Sequence, residues 1–324
     1  MKTTMLRLCA VAAFLAVMAL SATAQAPGAP SAAPVQTDLG KVEIKTTKVS
    51  NNFYAIEGMN CPRVSSCATI GALVGPDGVL LVDSGSVPEI IGMTVAALRQ
   101  ITDKPIRFMI NTHVHGDHVA GNESLGKMGV LIFAREELRR ALANPAPAAN
   151  GTPTPPAPLA ALPVVTYQGR MTFHMNGEDV EAIPVPVAHT DGDTMVRFPV
   201  ADVIMTGDFF RNIGYPDMNL ASGGSLKGML DGLGMLIGLT GPNTKIVPGH
   251  GVITDRARVI AFRDILLVLR DRVASLIQQG KTVEEVVATH PNADYDGRLV
   301  LSQRGAGGSE ATLRQLYAQL KGAK

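Results

Sequence analysis

The sequence lacks a charge imbalance, a long apolar run and an abundance of cysteine, and each lack excludes a class of protein. Lysine and arginine number 29 against 28 aspartates and glutamates, so we expect no nucleic-acid partner. The N-terminal apolar run from Leu8 to Leu20 is shorter than the roughly 20 residues of a transmembrane helix, so we expect no membrane span in the mature protein. Because 46% of the 324 residues are hydrophobic and only 18% are charged, the chain can bury a large core.

The N-terminus has the pattern of an export signal. Basic residues precede the apolar run, and Ala22-Thr23-Ala24 follows it as a small-x-small cleavage site. We therefore predict a signal peptide over residues 1–24, cut after Ala24, and a periplasmic or secreted protein. Residues 25–41 are rich in alanine and proline and predict a flexible leader, so the folded domain is expected over residues 42–324.

Three cysteines are present, and Cys9 would leave with the signal peptide. Cys61 and Cys67 lie six residues apart and would meet an oxidising compartment, which favours a local disulfide. Two buried thiols are the alternative. Zinc ligation by this pair is disfavoured, since better ligands occur elsewhere in the chain.

Strand and helix patterns alternate in both halves of the chain. Short β patterns come first, a helix is predicted over 88–101, and a buried strand over 107–111 ends where a group of histidines begins. The same order of strands and helices recurs later. This predicts an α/β (α+β) protein with two βα halves packed sheet to sheet, a four-layer αββα sandwich. A Pro/Ala-rich loop at about 144–163 is either a lid or an inert insertion.

The strand over 107–111 is followed by three histidines and an aspartate within six positions. In extended backbone His113 and His115 point to the same side, and a turn at Gly116 can bring Asp117 and His118 around a second point. Two adjacent metal ions fit this arrangement better than one. Imidazole mixed with carboxylate suits Zn²⁺, while the absence of a thiolate leaves manganese or iron open.

The segment from His113 to His118 resembles the HxHxDH signature of the metallo-β-lactamase superfamily. Further motifs follow the family's order: Leu81-Val82-Asp83, the Ala188-His189-Thr190 segment, Thr206-Gly207-Asp208 and Pro248-Gly249-His250. The resemblance implies that His113, His115 and His189 bind one metal ion. It also implies that Asp117, His118 and His250 bind the other, that Asp208 is shared, and that Asp83 supports the ligands from behind.

The ligand set separates branches of that superfamily. One subclass of β-lactamases has cysteine in place of Asp208 and lacks the histidine that matches His118, whereas glyoxalase II and many lactonases have the full set. Flavodiiron oxidoreductases typically have glutamate where this chain has His115, which argues against redox chemistry. The resemblance therefore implies the general hydrolase form with two zinc ions per chain.

In that form, two cations lower the pKa of a bridging water from near 16 to about 7, giving a hydroxide that attacks a carbonyl. Asp117 would ligate and orient this hydroxide. We expect a small-molecule substrate and place a β-lactamase-like activity on a cyclic amide first, because export would bring the enzyme to β-lactams. A lactonase or other esterase and a glyoxalase II-like thioesterase are the alternatives. A non-enzymatic metal-binding module is disfavoured, since all seven ligands are present.

Substrate contacts are less well indicated. Arg211, three residues after Asp208, is either a clamp for a substrate carboxylate or a solvated arginine. Tyr215 is either a wall of the pocket or a core residue, and Ser225 either lines the pocket or caps a helix. Nothing in the sequence indicates an oligomeric state.

Overall fold

The alternation of apolar and polar residues gives two β-sheets in the computed structural model, which describes residues 41–60, 67–148, 150–299 and 308–322. The described residues form one compact unit. The predicted signal peptide, all but the last residue of the predicted leader, and Cys61 lie outside the described residues. Cys67 is disulfide-bonded, and its pairing with Cys61 stays a prediction.

The first sheet has seven strands in sequence order. Its strands are β1 (Glu43–Lys48), β2 (Phe53–Met59), β3 (Ile70–Gly75), β4 (Gly78–Val82), β5 (Ile106–Ile110), β6 (Leu131–Arg135) and β7 (Val165–Tyr167). The strands from β1 to β4 pair antiparallel, and those from β4 to β7 pair parallel. Val82 pairs with Ile110, so Asp83 and Asn111 leave neighbouring strands at the same edge of the sheet.

The second sheet has five strands in the order β12-β11-β10-β9-β8. They are β8 (Met171–Met175), β9 (Glu178–Pro184), β10 (Thr194–Phe198), β11 (Val203–Met205) and β12 (Lys245–Val247). The pair β11 and β12 is parallel, with Met205 opposite Val247. Because the carboxyl ends of parallel strands lie at one edge, the segments that carry Asp208 and His250 begin side by side.

The α-helices follow the strands in each half. They are α1 (Pro88–Leu98), α2 (Gly116–Val119), α3 (Asn122–Lys127), α4 (Glu136–Ala143), α5 (Leu226–Leu239), α6 (Arg256–Gln278), α7 (Val283–Ala288), α8 (Asp296–Leu299) and α9 (Ser309–Gly322). Within the described ranges, no helix is both long enough and apolar enough to cross a membrane.

Three apolar clusters give the order of the layers. One joins the two sheets, with Phe53 and Val82 of the first against Met205 of the second. Another joins the outer face of the first sheet to α1 and α3, and the largest joins the outer face of the second sheet to α5, α6 and α9. The architecture is therefore the predicted αββα sandwich.

Strand β6 and the short helices α2 and α3 are not predicted from the sequence. Helix α3 matters for the Pro/Ala-rich segment, because the end of that segment packs against it. A 3-10 turn at Leu159–Ala161 lies there, and Asn122 Nδ2 donates to the carbonyl of Ala161 at 3.1 Å.

Candidate metal centre

Backbone geometry at the sheet edges brings the predicted ligands together. His115 has an extended conformation and directly precedes α2, so the chain turns between His115 and Asp117. Gly249 lies against the shared aspartate: a Cβ atom on it would be 2.1 Å from Asp208 Oδ1. Glycine is therefore required for the last ligand loop to approach Asp208.

All seven predicted ligands meet in one cluster of donor atoms. Three groups, each with donor atoms within 4.8 Å of one another, are His113/His115/His189, His113/His118/Asp208 and Asp117/His118/His250. Asp208 lies between the groups, with carboxylate oxygens 3.4 Å from His118 Nε2, 3.4 Å from His250 Nε2 and 3.8 Å from His189 Nε2. Asp208 therefore faces histidines of both predicted half-sites.

Three buried donor atoms of the cluster have no hydrogen-bond partner among the described residues. These atoms are His113 Nε2, His118 Nε2 and Asp208 Oδ1. Buried polar atoms are nearly always paired in native proteins, and an imidazole nitrogen beside a carboxylate oxygen is a typical metal-ligand combination. The donor set therefore fits a divalent metal ion.

His118 is oriented from behind by Asp83. One carboxylate oxygen of Asp83 accepts from His118 Nδ1 and from Thr112 Oγ1, both at 2.7 Å, and the other accepts from the Thr112 backbone N–H at 2.7 Å. This leaves His118 Nε2 free to face the cluster. Asp83 has a φ of 65°, a left-handed conformation that aspartate tolerates better than most residues. The structure thus places Asp83 in the predicted supporting position.

His189 is oriented by a backbone carbonyl. Its Nδ1 donates to the carbonyl oxygen of Asp217 at 2.7 Å, and its Nε2 lies 2.9 Å from His115 Nδ1. The side-chain amide of Asn219 lies 2.7 Å from the other ring nitrogen of His115. Asp193 holds the backbone of this loop by accepting from the N–H groups of His189 and Thr190 at 2.6 and 2.9 Å.

Burial and neighbouring charges set the protonation of the cluster. Burial, reinforced by His118 and His115, lowers the pKa of His113 well below its ordinary value. Burial also lowers the pKa of His189 to about 4, despite the opposing charge of Asp208. Both imidazoles are therefore neutral at pH 7 and able to donate a lone pair to a metal.

The part of the cluster around His118, Asp117 and Asp208 is charged. Burial alone would lower the pKa of His118, but Asp83 and Asp208 raise it well above its ordinary value. Burial would raise the pKa of Asp117 and of Asp208, yet facing histidines, above all His250, lower both. In the metal-free chain, His118 is thus protonated, and its positive charge partly balances the Asp83 and Asp208 carboxylates.

The structure buries the two predicted substrate contacts. Tyr215 is only 1% exposed, and its hydroxyl lies within hydrogen-bond distance of the Asp296 carboxylate and of the Asn292 carbonyl oxygen. Arg211 is 8% exposed; its guanidinium donates to the Tyr215 carbonyl at 3.2 Å and lies 3.8 Å from the Asp217 carboxylate. Contact of either residue with a substrate stays a prediction.

Three residues that contact imidazole rings of the cluster are not predicted from the sequence. Thr112 precedes the first ligand, and its hydroxyl could have been singled out beside the motif. Asn219 and Asp217 contact His115 and His189 from a loop with no motif, and Asp217 does so through its backbone. A carbonyl group is common to every residue type, so no sequence signal marks that contact.

A family model for the metallo-beta-lactamase superfamily matches residues 65–250. Among curated proteins, a linear primary-alkylsulfatase from Pseudomonas sp. (strain ATCC 19151) is 38% identical over 69 residues, which are 19% of this chain and 13% of that protein. The chain thus matches only a small part of that relative.

Solved structures with the same fold include β-lactamases and an alkylsulfatase. A metallo-beta-lactamase from Pontibacter korlensis has a TM-score of 0.58 at 18% identity, covering 69% of this chain and 99% of its own. The stereoselective inverting sec-alkylsulfatase Pisa1 from Pseudomonas sp. has a TM-score of 0.63 at 18% identity, covering 87% of this chain and 51% of its own. The family match spans more than half of the sequence and includes all seven clustered residues, and the chain therefore belongs to the metallo-beta-lactamase superfamily.

Proposed function

We propose that this chain is a dinuclear zinc hydrolase. The observation that carries the proposal is the convergence of five histidines and two aspartates on one buried point, where three donor atoms have no other partner. Imidazole and carboxylate without thiolate form a donor set that zinc accepts, with manganese and iron as alternatives.

Two half-sites would hold the two ions. One consists of His113, His115 and His189, the other consists of Asp117, His118 and His250, and Asp208 would serve both. A bound pair of divalent ions supplies a water acidified to near neutral pH and positive charge for a developing oxyanion.

The chain's own residues complete this chemistry. Asp117 is held by His250 Nε2 at 3.0 Å, and its side chain keeps 13% exposure, so it can both bind a metal and orient the attacking water. Asp83 keeps the His118 ring fixed while charge shifts at its other nitrogen. His115 is partly buried and the other five predicted ligands are buried, which strengthens electrostatic interactions by excluding solvent.

For the substrate we place a small cyclic amide first. The predicted export of the protein supports this choice, since it would bring the enzyme to β-lactams outside the cytoplasm. A lactone, another ester or a thioester is the alternative, because the full ligand set also resembles that of lactonases and glyoxalase II.

A sulfate ester is a second candidate, favoured by a separate observation. One alkylsulfatase matches a 69-residue stretch of this chain at 38% identity. The alkylsulfatase structure covers 87% of this chain, whereas the β-lactamase structure from Pontibacter korlensis covers 69% of it. A sulfate ester presents oxygen atoms to two cations much as a tetrahedral carbonyl adduct would.

The test is to produce the full chain in a bacterium that exports it and to sequence the mature N-terminus. We expect Gln25 first, about two zinc ions per chain, and chelator-sensitive opening of a cephalosporin reporter. The same sample is assayed with an alkyl sulfate, a lactone and an acyl-thioester. His118→Ala is the site variant, and His174→Ala, on an exposed strand position outside the cluster, is its control.

The outcomes separate the proposals. Release of sulfate alone would move the assignment to a sulfatase, and cleavage of the lactone or thioester alone would move it to an esterase. Two bound metals with no turnover of any substrate would favour a metal-binding module. Less than one metal per chain would overturn the dinuclear site.

A further inference from the structure

Helix α9 lies outside the region that the family model matches, yet it contacts the loop that supports His189. Its buried side chains Leu313 and Leu316 belong to the apolar cluster that also contains α5 and α6. On a neighbouring face, Thr312 Oγ1 donates to the Pro216 carbonyl at 2.8 Å. Gln315 is one helical turn further along and contacts the same loop.

Gln315 holds one particular peptide unit of that loop. Its side-chain oxygen accepts from the Met218 backbone N–H at 3.0 Å, and its side-chain nitrogen donates to the Asp217 carboxylate at 2.8 Å. The Met218 N–H and the Asp217 carbonyl belong to the same planar peptide group. That carbonyl is the one that accepts from His189 Nδ1 at 2.7 Å.

These hydrogen bonds form a continuous series from α9 to the predicted ligand His189. A neutral imidazole has one N–H and one lone pair, so fixing the proton on Nδ1 leaves the lone pair on Nε2. His189 Nε2 is the atom that faces His115 and Asp208. Hydrogen bonds in series polarise one another, and the bond at Met218 N–H therefore strengthens acceptance by the Asp217 carbonyl.

We propose that Gln315 is a positioning residue for the metal centre, which orients the Asp217–Met218 peptide so that His189 presents Nε2 to a metal. This inference rests on the proposed metal-binding function for its affinity readout, but its tautomer readout needs no metal. It assigns a role at the centre to a helix beyond the last ligand, His250.

The test compares Gln315→Met with Gln319→Met in the full chain. Methionine has nearly the shape of glutamine and is a good helix former, but it does not form these hydrogen bonds. Gln319 is a matched control, since it is also half-buried on α9 and accepts from the Leu226 N–H at 3.4 Å, a contact that involves neither the Asp217–Met218 peptide nor a predicted ligand. Circular dichroism and thermal melting establish that both variants fold.

The first readout is the ¹⁵N NMR spectrum of His189 in the metal-free protein. We expect the Nδ1–H tautomer in the unchanged chain and in Gln319→Met, and a mixture of tautomers in Gln315→Met. The second readout is zinc affinity by competition with a chromophoric chelator, where Gln315→Met should lose about tenfold or more at one of two sites and Gln319→Met should not.

A single Nδ1–H tautomer with unchanged zinc affinity in folded Gln315→Met would overturn the proposal. Equal losses in both variants would also overturn it, because they would indicate a general effect of α9 on stability. If the unchanged chain bound no zinc, the proposed function would fail, while the tautomer comparison would still decide the role of Gln315.

Discussion

The two halves of the metal centre orient their histidines in different ways. His118 is fixed by the Asp83 carboxylate, which leaves the neighbouring strand at the same sheet edge. His189 is fixed by a backbone carbonyl in a loop that a C-terminal helix holds. The first support comes from a charged side chain inside a recognisable motif, and the second from a peptide group outside every motif.

The two histidines also differ in pKa. The carboxylate beside His118 helps raise the pKa of that imidazole, whereas burial lowers the pKa of His189 to about 4. We therefore expect a proton to compete with a metal ion at His118 but not at His189.

Removing the residue that both halves share should have the largest effect. In Asp208→Ala the charge between His118, His250 and His189 is lost, so we expect less than one metal per chain and a loss of activity of about 100-fold or more. Elemental analysis and steady-state kinetics measure both. Retention of two tightly bound metals would show that the two halves do not depend on Asp208.

Asp83→Asn should affect the His118 half selectively. The amide keeps the shape and tolerates the left-handed backbone, but it loses the charge that holds His118 Nδ1. We expect zinc affinity to fall about 10- to 100-fold at one of the two sites in a chelator competition titration. Asp179→Asn is the control, because Asp179 also faces a histidine at 2.6 Å but on the exposed surface. Equal affinities in the two variants would argue against the supporting role of Asp83.

Zinc binding at pH 7 should release a proton from the His118 half. The pKa of His118 is raised in the metal-free chain, so its proton must leave before Nε2 can bind a metal. The release should be present at neutral pH and should diminish as pH rises through the folded-state pKa of His118. Isothermal titration in buffers with different ionisation enthalpies measures it, and enthalpies that do not depend on the buffer would contradict this expectation.

The same shift has a consequence for the metal-free fold. Because the folded-state pKa of His118 is raised, its contribution to stability is complete below the unfolded-state pKa of about 6.5 and is lost as pH rises through the folded-state pKa. His189, whose pKa is lowered, cannot contribute in this direction.

The smallest effect is expected at Ser225, the N-cap of α5. Its hydroxyl oxygen accepts from the Gly228 N–H at 3.0 Å, which establishes the capping alternative that the sequence left open. Ser225→Ala should lower the free energy of unfolding by about 1 kcal/mol in urea denaturation and leave zinc affinity unchanged. A loss of affinity like that expected for Gln315→Met would extend the support of the His189 half to α5.

The sequence predicts the parts of this protein that depend on side-chain identity. Apolar periodicity indicates the two sheets and the long helices, and the spacing of His113 to His118 identifies the turn that brings ligands together. Strand β6 was missed because its residues lack a clear alternation. The support of His189 was missed because a peptide carbonyl is common to all residues, and its position depends on contacts between residues about 100 positions apart in the chain.

A crystal structure of the purified chain, with diffraction data on both sides of the zinc absorption edge, would locate the metal ions directly. We expect two anomalous peaks, one near His113, His115 and His189 and the other near Asp117, His118 and His250, with Asp208 between them. A single peak, or no peak at these residues in a chain that was purified without chelator and supplied with zinc, would contradict it.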